Sequence, residues 1–495
     1  MKKNKTCLTK RGYTVFKKYF TEDEINEIKK ELTVKPYVNE DYGAKPKPFP
    51  IFLESSKKLY LPKHYGFKKF GEPESFKVNE GVDINLKFKG SLREKQLPIV
   101  NSFLETCKKG KYIKYTRGGI ISVPCGWGKT IMALYLISFL KKKTIVIVHK
   151  EFLLNQWKKR INDFLPEAKI GIIQGPKIDT DGKDIVLAML QSISMKDYDV
   201  NTTFGEFGFT IIDECHHIAA EVFSKSLPKI NSYYSLGLSA TPKRNDGLSH
   251  VFYSYLGPMV YTINKRDDRK VDVRVINFYD VNNKFYNKEE ITAYGKICVP
   301  KMITNIANNI NRNILIICLT KKLIKNGNQV LILSDRRDHL KLLFSLISKF
   351  TSVGYYVGGM KQKDLDLSES KNVILGTYPM SSEGLDIPSL DSIIFTTPKS
   401  NIEQSIGRIT RKQHENMPIA YDIVDNFSVF SRQYIKRERI YKRLNYDISE
   451  IRIDVFSNTD EQKFNDQLEL GFKKKNFKRK SQKKDETKYL IIEDE

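Results

Sequence analysis

Nine consecutive residues, Ser122-Val-Pro-Cys-Gly-Trp-Gly-Lys-Thr130, bring two glycines, a lysine and a hydroxyl together between a β-branched run and an apolar stretch. Gly126 and Gly128 allow backbone N–H groups to approach an anion closely. Lys129 can reach β and γ phosphates, and Thr130 can ligate Mg2+. A helix opening at Lys129 adds the positive end of its dipole. Pro124, Cys125 and Trp127 complete the loop, and Trp127 either covers a nucleotide base or packs. The strict form of this motif has glycine where Val123 stands. Downstream, Phe209-Thr-Ile-Ile-Asp-Glu-Cys-His216 reads as a buried strand that ends in two carboxylates. Asp213 suits Mg2+ held through water, and Glu214 suits orienting and deprotonating an attacking water. Ser239-Ala-Thr241 ends the next apolar run.

Such residues work only if strands and helices hold them in place. Strands are expected at Gly119–Val123, Thr144–Val148, Asp184–Leu190, Phe209–Ile212 and Leu236–Ser239. Between two of them, Glu151–Phe164 carries Leu153, Trp157, Ile161 and Phe164 at helical spacing. The pattern repeats with strands at Val330–Leu333, Tyr355–Val357, Asn372–Leu375, Ser392–Phe395 and Ala420–Val424. Apolar strands alternating with helices specify an α/β fold with parallel sheets covered on both faces, here two lobes in tandem. The expected domains are an N-terminal accessory region (1–85), a first lobe (86–265), a second lobe (266–450) and a polar-to-basic tail without fixed structure (451–495). Residues Asp267–Tyr294 read as the connection between lobes. A helix is expected over Thr21–Leu32, opened by the capping signal Thr21-Glu-Asp-Glu24.

Of the 495 residues, 84 are Lys or Arg and 58 Asp or Glu, a net charge of +26. Eight positive charges and no acid fall in Lys473–Lys484, yet most of the excess lies elsewhere. A basic surface attracts polyanions, nucleic acid first among them. The six cysteines form no C-x-x-C pair, which argues against a zinc site or a disulfide framework and for a reducing compartment. The longest apolar run, Ile131–Leu140, is too short to cross a membrane. The expected setting is intracellular, or inside a particle.

In order along the chain, these motifs resemble those of the superfamily 2 helicases. The phosphate loop, Asp213-Glu-Cys-His216 and Ser239-Ala-Thr241 resemble motifs I, II and III. Leu92-Arg-Glu-Lys-Gln96 resembles the upstream motif whose glutamine reads adenine, which implies Arg93 and Gln96 at the base of ATP. Thr144-Ile-Val-Ile-Val-His-Lys150, with Leu153 and Gln156-Trp157, resembles motif Ia. Val330–Asp335, Ser382–Pro388 and Gln404-Ser-Ile-Gly-Arg-Ile-Thr-Arg411 resemble motifs IV, V and VI. Leu236–Asp246 is similar to the promoter-opening and excision-repair branch, with Asn245 replacing its glutamate. Ser382–Asp391 is similar to the transcript-release helicase of poxviruses and other large DNA viruses.

The resemblance implies two RecA-like lobes with ATP and Mg2+ between them. Arg408 and Arg411, three apart on an expected helix, would project to one side as arginine fingers, with Gln404 contacting the nucleotide. Gly384 and Asp386 would face the same cleft. Thr377 and motif Ia would touch the nucleic-acid backbone, and His216 would link the ATP site to motif III. His217 reads as a packing residue. The implied activity is ATP-dependent translocation or strand separation on nucleic acid, with DNA favoured over RNA. The implied setting is viral transcript release or repair, with transcription machinery as partner, in the host cytoplasm or virion. Two alternatives stand beside it. A scaffold with a degenerate ATP site is opposed by Lys129, Glu214 and Arg411, and a nuclease subunit by the lack of a carboxylate–lysine cluster in the first 90 residues.

Overall fold

The computed structural model describes residues 5–37, 46–108, 117–124, 126–219, 221–240, 244, 246–263, 270–383, 385, 387–410, 414–457 and 460–475. The chain divides into two compact units, Met1–Lys265 and Arg266–Glu495.

The first unit opens with strands β1 (Thr6–Thr9) and β2 (Gly12–Phe16), helix α1 (Glu22–Glu31), strands β3 (Leu53–Glu54) and β4 (Lys58–Leu61), and helix α2 (Lys63–Phe70). The strands form an antiparallel sheet in the order β1-β2-β4-β3. At α1 the expected capping box forms between Thr21 and Glu24. This N-terminal region is not a free arm. Tyr13, Val15, Leu59, Leu61 and Phe67 share one apolar core with Val251, Phe252 and Leu256. Lys10 Nζ donates to the carbonyls of Phe204 and Phe207, each at 3.0 Å.

The main sheet of this unit contains β5 (Gly118–Ser122), β6 (Thr144–Val148), β7 (Ile170–Gln174), β8 (Lys177–Asp179), β9 (Ile185–Met189), β10 (Phe209–Ile212), β11 (Tyr234–Ser239) and β12 (Met259–Thr262). Their order is β8-β7-β9-β6-β10-β11-β5-β12, parallel except at β8. Around it lie α3 (Leu97–Lys108), α4 (Lys129–Leu140), α5 (Glu151–Phe164) and α6 (Ser249–Leu256). Strand β6 shows why its sequence is apolar throughout: Ile145 and Ile147 enter one core, Val146 and Val148 the other.

The second unit repeats this plan. Among its elements are β13 (Asp272–Asp280), α7 (Val299–Ala307), α8 (Ile310–Lys325), β14 (Val330–Leu333), α9 (Arg337–Ile347), β15 (Val353–Tyr356), β16 (Val373–Gly376), β17 (Ser392–Phe395), α10 (Glu403–Ile406), β18 (Ile419–Asp425), α11 (Ser428–Arg443), β19 (Asp447–Val455), α12 (Glu461–Glu469) and β20 (Lys473–Lys474). The order β15-β16-β14-β17-β18-β13-β19-β20 is parallel up to β19, where β20 turns back. Each unit is thus an α/β layered lobe of the RecA-like kind.

Two expectations are corrected here. The segment read as a connection contains β13, a nine-residue strand paired on both sides. Charge hid it. Arg274 breaks the apolar run, but its guanidinium is neutralised by Asp272 at 2.7 Å and receives Tyr421 as a further partner at 3.0 Å. The chain after 450 also does not become an unstructured tail at once. Strand β19 continues to Val455, and α12 buries Phe464 and Leu468. Asp460 caps α12 through the Lys463 N–H at 3.0 Å, and Lys475 pairs with Glu450 at 2.8 Å and Glu438 at 3.0 Å. Composition reads such a helix as polar because only one narrow face is apolar. Residues 476–495, most of the basic run, lie outside the described residues.

A buried ion pair anchors this lobe. Arg312 forks onto Asp425 through two bonds of 3.0 Å, both side chains fully buried. Arg312 also donates to the Thr396 carbonyl, and Tyr286 donates to Asp425 at 2.5 Å. Asp425→Asn should destabilise the second unit by about 3–5 kcal/mol, because the guanidinium keeps its charge and loses its counter-ion. Urea unfolding of the full chain measures this; a loss under about 1 kcal/mol would show that the carbonyl and tyrosine suffice.

Candidate active site

The phosphate loop leaves β5 and enters α4 as its residue types require. Gly126 and Gly128 sit at φ +81° and +79°, where a side chain would strain the backbone. Gly128 is also the residue before α4, so its backbone sits at the helix N-terminus. A Cβ there would lie 2.5 Å from Gln96 Nε2. Gln96, 3% exposed, donates to the Trp127 carbonyl at 2.8 Å and accepts from the Arg93 N–H at 2.9 Å. The upstream motif is therefore bonded to the loop itself in this state. Trp127 packs against the first-lobe core with Lys95 4.4 Å from its ring centre. Pro124 and Thr130 are half-buried, and Cys125 lies outside the described residues.

Lys129 Nζ stands 3.5 Å from the Val123 carbonyl and 3.7 Å from Glu214 Oε1. That distance joins the loop after β5 to the carboxylates after β10. Glu214 adopts φ +47°, a conformation non-glycine residues avoid and which the surrounding structure must enforce. Its Oε2 is buried without a hydrogen-bond partner. Asp213 accepts from the Glu214 N–H at 3.0 Å through one oxygen and from the Trp157 indole N–H at 2.9 Å through the other. Burial, and then the Glu214 charge, hold the Asp213 carboxyl above its ordinary value, against the pull of Trp157 and Lys129.

Behind these groups, His216 Nδ1 lies 3.0 Å from Ser239 Oγ, so motif II meets motif III at the end of β11. The His217 ring stacks on His149 at 4.0 Å, reaching the end of β6. Arg244 donates to the His216 carbonyl and to Asp246 Oδ1 at 2.9 Å. Thr241 and Asn245 lie outside the described residues.

The donor set fits Mg2+. A hydroxyl (Thr130) and a carboxylate (Asp213) are hard oxygen ligands, and two adjacent half-buried carboxylates, with Asp213 raised by its surroundings and by Glu214, suit a cation beside them.

Sequence comparison agrees with this geometry. The family described as "Type III restriction enzyme, res subunit" matches residues 89–244, and "Helicase conserved C-terminal domain" matches 309–413. A protein of Acanthamoeba polyphaga mimivirus, named as an ATP-dependent RNA helicase, is 36% identical over 91% of this chain and 87% of its own length. The chain belongs to the superfamily 2 helicases of large DNA viruses. A helicase of Invertebrate iridescent virus 6 is 29% identical over 74% of this chain and 84% of its own. A relative from African swine fever virus, also named as an ATP-dependent RNA helicase, is 28% identical over 65% and 68%. The solved structure of T4 UvsW is 18% identical with TM-score 0.34, covering 87% of this chain and 96% of that one.

The helicase is an ATP-dependent enzyme acting on nucleic acid. Among its described residues no helix is long and apolar enough to cross a membrane. In the second lobe the expected motif VI helix is corrected. Helix α10 ends at Ile406, and Gly407–Thr410 form a turn in which the Arg408 N–H bonds to the Ser405 carbonyl, three residues back, at 3.1 Å. Arg408 is 4% exposed and donates to the Leu385 carbonyl at 2.8 Å, so it braces motif V from within the lobe. Gln404 is half-buried on α10. Gly384, Asp386 and Arg411 lie outside the described residues.

Trp157 is the site residue that the sequence reading placed only as a motif Ia match and a core face. One signal could have exposed it: a buried indole N–H needs an acceptor. In the helicase, Trp157→Phe keeps the apolar ring and removes the donor. A hydrogen bond to a carboxylate contributes about 1.5–3 kcal/mol, so ATP turnover at low Mg2+ should fall about tenfold or more. The half-saturating Mg2+ concentration should rise. Turnover measured against Mg2+ concentration tests this, and a curve superimposable on that of the unaltered chain would contradict it.

Proposed function

We propose that this helicase hydrolyses ATP in the first lobe to drive movement along nucleic acid, with DNA as its track, in viral transcript release. The 3.7 Å approach of Lys129 to Glu214 carries the reading of the site, because it puts a phosphate-binding cation beside a base-capable carboxylate. Lys129 and the loop N–H groups would hold the β and γ phosphates. Glu214, whose Oε2 accepts no hydrogen bond, would take the proton of the attacking water. Asp213 and Thr130 would hold Mg2+, which when bound offsets phosphate charge. Gln96 and Arg93 would turn from the loop to the adenine, and Arg411 keeps the γ-phosphate role that the resemblance implies. Arg408 acts one step back, by fixing Leu385.

DNA is supported by the match of residues 89–244 to a restriction-enzyme family. RNA is the second reading, favoured by the names of the mimivirus and African swine fever virus relatives. Resemblance to the transcript-release helicases supports a role with transcription machinery inside the infected cell or particle. Stimulation of ATP hydrolysis by single- and double-stranded DNA, with RNA as competitor, decides between the tracks. Stimulation by RNA alone would overturn the choice of DNA.

A further inference from the structure

Beyond β13 the chain makes a hairpin that neither the ATP site nor the helicase motifs use. Ile291 and Ile297 pair antiparallel, and the Thr292 N–H reaches the Lys296 carbonyl at 2.7 Å. Gly295, at φ +73°, closes the turn, with its N–H on the Thr292 carbonyl at 2.9 Å. The base of the hairpin is firmly held. Cys298 N–H bonds the Glu290 carbonyl at 2.6 Å, and the Glu290 carboxylate meets Lys301 at 2.7 Å and Asn305 at 3.1 Å. Arg336, just after β14, donates to the Pro300 carbonyl at 2.6 Å and Thr304 at 3.0 Å. The tip is the opposite: Tyr294 is 92% exposed, beside exposed Ile291 and Ile297, with Phe285 70% exposed before the stem.

Place and charge say what this tip meets. Strands β13, β18, β17, β14 and β16 run parallel, so their carboxyl ends share one edge of the sheet. The segment that holds the hairpin leaves that edge after Asp280, and Thr377 leaves it after β16. In sequence the exposed Lys284, Lys288 and Lys296 lie within ten residues of Tyr294, against one exposed acid, Glu289. An anchored stem, an uncovered ring and flanking lysines suit a chain of bases joined by phosphates.

We infer that the Tyr294 hairpin is a base-stacking site for single-stranded nucleic acid. The inference rests on Thr377 marking the edge along which the nucleic-acid backbone runs. A strand passing Thr377 would place a base on the Tyr294 ring and its phosphates near the three lysines. Stacking tolerates any base, as a motor moving along sequence requires.

The test uses the full chain and labelled oligothymidylate or oligouridylate of about 16 nucleotides, followed by fluorescence anisotropy. Tyr294→Ala should weaken binding roughly tenfold, and Tyr294→Phe should bind within about twofold of the unaltered chain. Tyr294→Trp should add an indole emission that the unlabelled oligomer quenches. ATP hydrolysis without nucleic acid should be the same in all three. Unchanged affinity in Tyr294→Ala, or equal loss in Tyr294→Phe, overturns the site. Thr377→Ala separates the premise: if it leaves affinity unchanged while Tyr294→Ala weakens it, the edge is wrong and the stacking site stands.

Discussion

Glu214→Gln should leave ATP bound and all but stop its turnover. The amide keeps the shape of the side chain and can still hydrogen-bond a water. It cannot accept that water's proton, and proton transfer by a positioned base contributes about 10²–10⁴ in rate. The geometry sharpens the expectation. Oε2 is buried and accepts no hydrogen bond, with His216 Nδ1 3.5 Å away, so it is the oxygen open to the water, whereas Oε1 faces Lys129 at 3.7 Å. ATP affinity should stay within a few-fold, since Lys129 and the loop N–H groups remain. Binding of a fluorescent ATP analogue, measured beside steady-state turnover, checks the split. Equal loss of both would mean that Glu214 holds the nucleotide rather than activating water.

Lys129→Ala should remove both binding and turnover. Its ammonium stands 3.7 Å from Glu214 Oε1, and it sits at the helix N-terminus where phosphates would lie. Loss of one electrostatic contact to developing charge costs about 10²–10³ in rate, and the lost phosphate contact should add a fall in ATP affinity. The mutant should fold, because Lys129 is half-buried at the loop and not part of either core. Circular dichroism and kcat/KM together test this. A folded mutant with kcat/KM near that of the unaltered chain would remove the loop from the mechanism. The pair of mutants is informative as a pair: one separates binding from chemistry, the other joins them.

Much of this was legible in the chain. Strands such as Thr144–Val148, Phe209–Ile212, Val330–Leu333 and Ser392–Phe395 run as expected, as does the helix Glu151–Phe164. They are apolar on both faces, or on one helical face, so burial leaves them few alternatives. Strand β13 was not legible, because Arg274 is tolerated only where Asp272 and Tyr421 happen to meet it. Helix α12 was not, because its apolar face is two residues wide. The expected helix through Arg408 failed for a local reason: α10 stops at Ile406, and the turn that follows carries Arg408 inward to Leu385.

Which chemistry is available follows from short residue patterns. Gly126, Gly128, Lys129 and Thr130 after one strand, and Asp213 with Glu214 after another, are local patterns whose meaning needs only the element that carries them. Tertiary structure alone decided who meets whom across the sheet. β5 and β10 are not neighbours in sequence or in the sheet, where β11 lies between them, yet their loops bring Lys129 to Glu214. Helix α5 brings Trp157 to Asp213 from 56 residues away. Contacts of that kind depend on strand order, packing and rotamer. A one-dimensional pattern records which side chains are apolar, but not which acceptor a buried indole will find when the layers close.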